Sequence, residues 1–208
     1  MVDLADTEEP DESDEPADGR VARRERNRNA VLDVVLEMFG EDSMFPTIEQ
    51  ASRRSGLSLR SLYRYFADPG ELVDSAIKRH QETTGGLFHL SAIGQGPLEH
   101  RIAEFVKMRI RGYEVVGAVY RASVHNAGRH QRVRDDLAMN RRRMREQFDK
   151  QFKPELAELR GQDREAVASA GDVLTQLDTI DLLRRDRRMT AVETERTLVT
   201  GLGAILHT

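Results

Sequence analysis

The sequence predicts an all-α fold of about nine helices, with a three-helix helix-turn-helix domain leading a larger helical domain. Three observations carry that prediction. Apolar residues recur at spacings of three and four along most of the 208-residue chain. Alternating apolar and polar residues, the mark of half-buried strands, are missing at any length. Between Thr47 and Leu72, in TIEQASRRSGLSLRSLYRYFADPGEL, a cap, a glycine stop and a second cap follow one another at the spacing of two short helices joined by a tight turn.

Helix one should run from about Val21 to Phe39, because Val31, Val34, Val35, Met38 and Phe39 form one apolar stripe, and Gly40 should end it. Its first turns carry Arg20, Arg23, Arg24, Arg26 and Arg28, positive charge suited to a phosphate strand. Thr47 with Gln50 makes a capping box for helix two, which turns Ile48 and Ala51 inward and stops at Gly56. Ser58 caps helix three, with Leu59 and Leu62 expected inside and Arg60, Ser61, Arg64 and Tyr65 outside. Asp68-Pro69-Gly70-Glu71 starts helix four with an Asp cap, a Pro at the first position and a Glu three residues after the cap. Leu72, Val73, Ala76 and Ile77 then share one face, and the helix should end near Gln81.

A short helix that shows arginine, hydroxyl and phenol groups to solvent has the donors needed to reach phosphates and base edges in a major groove. Arg60 and Arg64 are the candidates for reading sequence, since an arginine forked onto guanine O6 and N7 is the commonest specific contact. Arg23 and Arg24 are candidates for phosphate contact, Ser61 shares the outward face, and Thr47 and Ser58 add hydroxyl or backbone donors at helix starts.

The run Thr47, Gly56, Leu57, Ser58, Leu62, Tyr63, Tyr65, Phe66 and Leu72 resembles the DNA-binding signature of TetR-type transcriptional regulators. In that family a Thr opens the second helix, a Gly-aliphatic-Ser turn follows, and an aliphatic-Tyr-x-aromatic-Phe ending closes the recognition helix. The resemblance implies that Tyr63 and Tyr65 contact the DNA backbone through their hydroxyls. It also implies a homodimer acting on a palindromic double-stranded DNA operator, most often as a repressor released by a small-molecule effector. The chain departs from the pattern at Pro69, where many members have a phosphate-binding Lys. The helix amino terminus there is expected to keep backbone donors for an anion.

Gly85-Gly86 and Gly94-Gln95-Gly96-Pro97 bracket a break, dividing the chain into an acidic tail (1–19), a helix-turn-helix domain (20–81) and a helical effector-binding and dimerisation domain (82–208). Leu98, Ile102, Phe105, Val106 and Ile110 suit one helix, and Val115, Val116, Val119, Tyr120 and Val124 the next. A longer helix is expected from about Gln131 to Phe152, on Val133, Leu137, Met144, Phe148 and Phe152, until Pro154 ends or kinks it. Asp163 should cap a helix carrying Val167, Val173, Leu174, Leu177 and Ile180. Thr190 and Glu193 form a capping box before Val192, Leu198, Val199, Leu202 and Ile205.

In the family resembled, the last two helices form a four-helix dimer interface. That makes Val173, Leu174, Leu177, Ile180, Leu198, Leu202 and Ile205 interface candidates, with Ala170, Gly171, Gly201, Gly203 and Ala204 allowing close approach. The alternative is that these stripes complete the core of one chain. Phe88, Phe105, Met108, Tyr113, Tyr120, Met144 and Phe148 are candidates for an apolar ligand pocket, against ordinary core packing. Arg109 falls beside Phe105, Val106 and Tyr113 and could pair with an acidic ligand, against a snorkelling or salt-bridged arginine.

Composition narrows the function classes. With no Cys, no signal-peptide pattern and no apolar run of transmembrane length, the chain is expected to be soluble and cytoplasmic, with no membrane partner. The net charge of −4 hides an asymmetry: residues 1–19 hold nine acids and no Lys or Arg, so residues 20–208 carry +5. That tail is expected to be disordered, either as a solubilising leader or as a competitor with DNA for the arginines. The six His residues are scattered and no Cys accompanies them, so no metal is expected. No phosphate-cradling loop, nucleophile elbow or carboxylate pair is present, so neither a cofactor nor catalysis is expected. Two classes remain: a dimeric, ligand-responsive DNA-binding regulator, and a helical small-molecule-binding or protein-interaction module that no longer recognises an operator.

Overall fold

A computed structural model describes residues 17–42 and 44–207. The disorder expected of the acidic tail concerns residues that lie, from 1 to 16, outside the described ones. The chain runs through α1 (Ala17–Asp42), α2 (Ile48–Ser55), α3 (Leu59–Tyr65) and α4 (Pro69–Thr84), then a 3-10 turn (Gly85–Phe88). It continues through α5 (Leu98–Asn126), α6 (Gln131–Gln151), α7 (Lys153–Glu158), α8 (Gly161–Thr175) and α9 (Leu177–Asp181). A π turn (Leu182–Asp186) leads into α10 (Ala191–Leu206). No strand occurs among the described residues.

The caps of the helix-turn-helix form as the sequence predicts. Thr47 Oγ1 accepts the Gln50 N–H at 3.2 Å while the Thr47 N–H donates to Gln50 Oε1 at 2.7 Å. Gly56 closes α2 with φ +73°, a left-handed conformation that a side chain would strain. Ser58 Oγ accepts the Ser61 N–H at 3.2 Å and opens α3. The same reciprocal box starts α10, with Thr190 Oγ1 accepting from Glu193 N and the Thr190 N–H donating to Glu193 Oε2 at 2.7 Å.

The boundaries of four expected stretches differ from expectation. α1 begins earlier than Val21 and passes through Gly40, where an added Cβ would make only an ordinary 3.6 Å contact with Ala118. α4 runs past Gln81 to Thr84. The two helices expected over residues 98–124 are a single helix of 29 residues. Gly112 does not interrupt it, because its bare backbone admits the Phe88 ring: a Cβ there would lie 2.4 Å from Phe88 Cε1. The helix expected to start at Asp163 starts at Gly161, and Asp163 lies in its first turn, where an acid suits the helix dipole. It also breaks at Gln176, whose extended backbone (ψ 154°) separates α8 from α9.

Two apolar clusters form the interior. The first joins α1 (Val31, Leu32, Val35, Phe39), α2 (Ile48, Ala51), α3 (Leu62) and α4 (Leu72, Val73, Ala76, Ile77) to Val119 and Ala122 of α5 and Val133 and Leu137 of α6. The second packs the earlier part of α5 (Ile102, Phe105, Val106, Met108) against Phe148 and Phe152, Ile180, and Leu198 and Leu202 of α10. Each of these large side chains, fully removed from water, contributes roughly 1.5–3 kcal/mol before entropy is counted. α5 is therefore common to both interiors.

Close packing restricts a second glycine in the same way as Gly112. A Cβ on Gly171 of α8 would sit 2.2 Å from Cζ of the fully buried Phe148. Gly171→Ala should lower unfolding stability in urea by about 1–3 kcal/mol, as overpacking does. Gly40→Ala, at an uncrowded helical glycine, should be neutral or stabilising by up to about 1 kcal/mol.

Candidate nucleic-acid interface and ligand cavity

α3 is seven residues long and buries only part of itself. Leu62 is fully buried and Phe66 follows it into the core, which leaves Arg60, Tyr63 and Arg64 exposed. Tyr63 is 52% exposed and carries its phenol into solvent, whereas Tyr65, expected outside, is 8% exposed and packs into the first cluster. Leu59, expected inside, is exposed. The reason is helical phase: Leu62 and Phe66, four apart, define the buried line, Tyr65 lies beside it, and Leu59 sits in the first turn at the open end.

Arginines fasten this helix to α1. The Arg24 Nη2 donates to the Arg64 carbonyl at 3.4 Å, and the guanidinium groups of Arg24 and Arg64 lie 5.9 and 5.6 Å from the Tyr65 ring centroid. Arg28 lies 5.4 Å from the Phe66 ring centroid and donates to Ser75 Oγ at 3.1 Å. Arg23 is half-buried on α1. The structure thus brings Arg24, Arg60, Tyr63, Arg64 and Tyr65 into one neighbourhood, with Thr47, Ser58 and Ser61 at the helix starts. Ser58 and Ser61 hydroxyls lie 3.0 Å apart and engage each other. Arg53 is also exposed on α2 and extends the basic surface; its neighbour Arg54 is paired with Glu41, with Nη1 to Oε2 at 3.1 Å.

Part of the donor set expected at the start of α4 is already engaged within the chain. Asp68 Oδ1 accepts the Glu71 N–H at 2.8 Å, and Glu71 Oε2 accepts the Ala67 N–H at 2.7 Å. Pro69 has no N–H to offer. Two carboxylates thus take up the Ala67 and Glu71 donors at this helix start.

A cavity of about 500 Å³ lies between α4, the 3-10 turn, α5, α6 and the start of α9. Among the expected pocket residues, Arg109, Tyr120, Met144 and Phe88 line it. Phe105, Met108, Tyr113 and Phe148 do not: they face the second apolar cluster, where Phe105 and Phe148 stack edge to face at 6.0 Å. The polar lining that sequence reasoning missed comprises His80 and Thr84 of α4, Ser123 of α5, Asn140 and Gln147 of α6, and Gln176. Such residues carry no periodic signal, and only the fold brings them together. Burial pushes the His80 imidazole below its ordinary pKa. Burial likewise draws the Arg109 guanidinium down to about 10, against the pull of Asp172. Tyr113, held by Asp181 at 2.7 Å, is pushed up to about 12, by burial first and by the carboxylate second.

The expected dimer residues divide by burial. Leu177, Ile180, Leu198 and Leu202 are already buried within the chain, so they complete its own core. Leu174 and Ile205 are half-buried, and Val173 is 62% exposed. The small residues divide too. Gly171 receives Phe148 and Gly201 receives Leu174, while a Cβ on Gly203 would meet nothing within 4 Å. Val192, 67% exposed, adds an apolar group on α10.

Among the described residues, no helix is long and apolar enough to cross a membrane, and no group of three or more His, Asp or Glu is placed to hold a metal ion. No protein-family model matches the chain, and no curated protein sequence matches it. Solved structures do. A TetR-family transcriptional regulator from Streptomyces coelicolor superposes with a TM-score of 0.67 at 20% identity, over 87% of this chain and 80% of that one. A transcriptional regulator from Rhodococcus sp. Rha1 gives 0.62 at 15% identity, over 88% and 96%. A TetR/AcrR-type regulator from Aquifex aeolicus gives 0.58 at 18% identity, over 86% and 99%. The chain has the all-α fold of these regulators.

The two tyrosines of α3 should separate cleanly in urea unfolding. Tyr63→Ala should leave stability within about 0.5 kcal/mol, as exposed positions do. Tyr65→Ala should cost about 3 kcal/mol by emptying a buried aromatic site.

Proposed function

We propose that this chain is a homodimeric, sequence-specific DNA-binding transcriptional regulator, a repressor released from a palindromic operator when a small molecule fills the cavity. Residues 20–81 are then the DNA-binding domain and residues 82–208 the effector-binding and dimerisation domain, with no catalytic step. One observation carries this: a capped helix-turn-helix projects Arg60, Tyr63 and Arg64 from α3 on the exposed side of a rigid apolar cluster. The likeness of fold to known regulators supports it.

Arg60 and Arg64 read base edges, while Tyr63, Thr47, Ser58, Ser61, Arg23 and Arg24 position the phosphate backbone. Tyr65 acts from inside, as a platform between Arg24 and Arg64. With Pro69 and two acids at the start of α4, anchoring depends on α1 and α3. Two copies of α3 about 34–36 Å apart would read two half-sites one turn apart. The dimer face is formed by the exposed parts of α8 and α10, including Val173, Val192, Gly203 and the half-buried Leu174 and Ile205.

Release follows from the position of the cavity. Ile77, His80, Gln81 and Thr84 of α4 form one wall, and α4 follows α3 directly. The Arg132 guanidinium of α6 also holds Asp74 of α4 at 3.1 Å. A ligand that fits only one disposition of α4 against α5 and α6 biases the spacing of the two α3 helices, and its differential affinity sets how far the equilibrium moves.

Gel-shift selection on sheared genomic DNA should return fragments bound specifically and with steep salt dependence. Binding without sequence preference would instead favour a small-molecule-binding module without an operator. Arg60→Ala and Arg64→Ala should each lose about 1–3 kcal/mol of discrimination at one base position. Arg24→Ala should weaken all sequences alike and shallow the salt slope by about 1.

The dimer makes its own prediction. Sedimentation should give twice the chain mass. Val173→Glu should shift it toward one chain and weaken operator binding at least about 100-fold through lost bivalency.

A further inference from the structure

The cavity contains a buried cation that the chain does not neutralise. Arg109 is 1% exposed. Its Nη2 donates to the Met144 carbonyl at 2.9 Å, and its Cζ lies 4.6 Å from the centroid of the Phe105 ring. Its Nε and Nη1 have no hydrogen-bond partner among the described residues. The carboxylate that acts on it from a distance, Asp172, forms no salt bridge with it and is engaged by Gln176 Nε2 at 2.6 Å. An arginine keeps its proton in neutral solution, so the charge persists inside an apolar wall, a costly arrangement unless something else supplies an anion.

Two more buried atoms of cavity-lining residues lack partners among the described residues. His80 Nε2 and Gln176 Oε1 are unbonded, and both residues line the cavity. Ile77, Phe88, Val116, Val119, Leu137 and Leu177 supply the apolar surface. At the mouth, Arg141, Arg143 and Lys150 outnumber the acid Glu146, and Arg141 is held by Asp178 at 2.9 Å. The walls thus offer one unpaired deep cation, a few free polar atoms and an apolar volume of about 500 Å³, within the range of small-molecule sites.

We propose that the cavity binds an amphipathic monocarboxylate, with its carboxylate on the free donors of Arg109 and its alkyl or aryl body along Val116, Val119, Leu137 and Leu177. A single buried cation matches one negative charge. A phosphomonoester would carry a second charge that no deep group neutralises. A neutral ligand would leave Arg109 as it is. A hydroxyl or amide on the body would find Gln176 Oε1 and His80 Nε2. The assignment deepens the effector role proposed above and rests on it for the regulatory consequence, though not for the binding itself.

Isothermal titration of the full chain with matched probes tests it: decanoate, decanol and decyl phosphate for an alkyl body, and 4-phenylbutanoate with 4-phenylbutanol for an aryl one. At least one carboxylate should bind one per chain and at least about tenfold tighter than its alcohol, the worth of one charge-assisted contact. Decyl phosphate should bind no tighter than decanoate. In Arg109→Met the ratio of acid to alcohol should fall to about one, with Arg109→Lys between. The comparison on the unmodified chain stands even if a variant folds poorly. Alcohols binding as tightly as their acids, a ratio unchanged in a folded Arg109→Met, tighter binding of the phosphate, or no saturable binding of either acid would each overturn the assignment. A gel shift with the same probes separates the two proposals. An acid that binds through Arg109 and leaves the DNA complex intact supports the ligand class and overturns the effector role. An alcohol that releases DNA at or below the concentration its matched acid needs supports the effector role and overturns the ligand class.

Discussion

The structure depends on α5 having to serve two apolar interiors at once. Its first half, with Ile102, Phe105, Val106 and Met108, lies in the second cluster, and its second half contributes Val119 and Ala122 to the first. A helix of 29 residues is about 43 Å long. The same helix therefore carries Arg109 and the residues that meet α1 and α4. The cavity sits at that junction, with Val116, Val119 and Ser123 of α5 facing Ile77 and His80 of α4. Close packing of such interiors favours discrete rearrangement over gradual deformation.

Charge is distributed to match. Arginines of α1 also hold the helices together, with Arg24 and Arg28 lying against the rings of Tyr65 and Phe66. Two carboxylates, Asp68 and Glu71, lie instead where α4 begins. There they stabilise the start of that helix.

Much of this was legible in the sequence, for identifiable reasons. Thr47–Gln50, Ser58, Asp68–Glu71 and Thr190–Glu193 announce helix starts through local chemistry, and each forms the bond its spacing implies. Positions decided by tertiary packing were read less well. Two separate apolar sets in residues 98–124 suggest two helices, whereas the stretch forms one helix in which Gly112 makes room for the Phe88 ring. Tyr65 looks exposed when Leu59 and Leu62 define the inward line of the helix, yet the phase set by Leu62 and Phe66 carries it inward. Leu198 and Leu202 are as apolar as an interface requires, and only the fold shows that α5 and α8 have already covered them. The cavity was the least legible part, since His80, Ser123, Asn140 and Gln176 come from four segments with no shared pattern.

The account stands or falls on whether α3 meets DNA as one of a pair. Hydroxyl-radical footprinting of the full chain on a genomic fragment that it selects measures this directly. The predicted result is two protected patches on one face of the duplex, centred about one helical turn or a small multiple apart, and related by an inverted repeat. A single patch, or protection that ignores sequence, would contradict it.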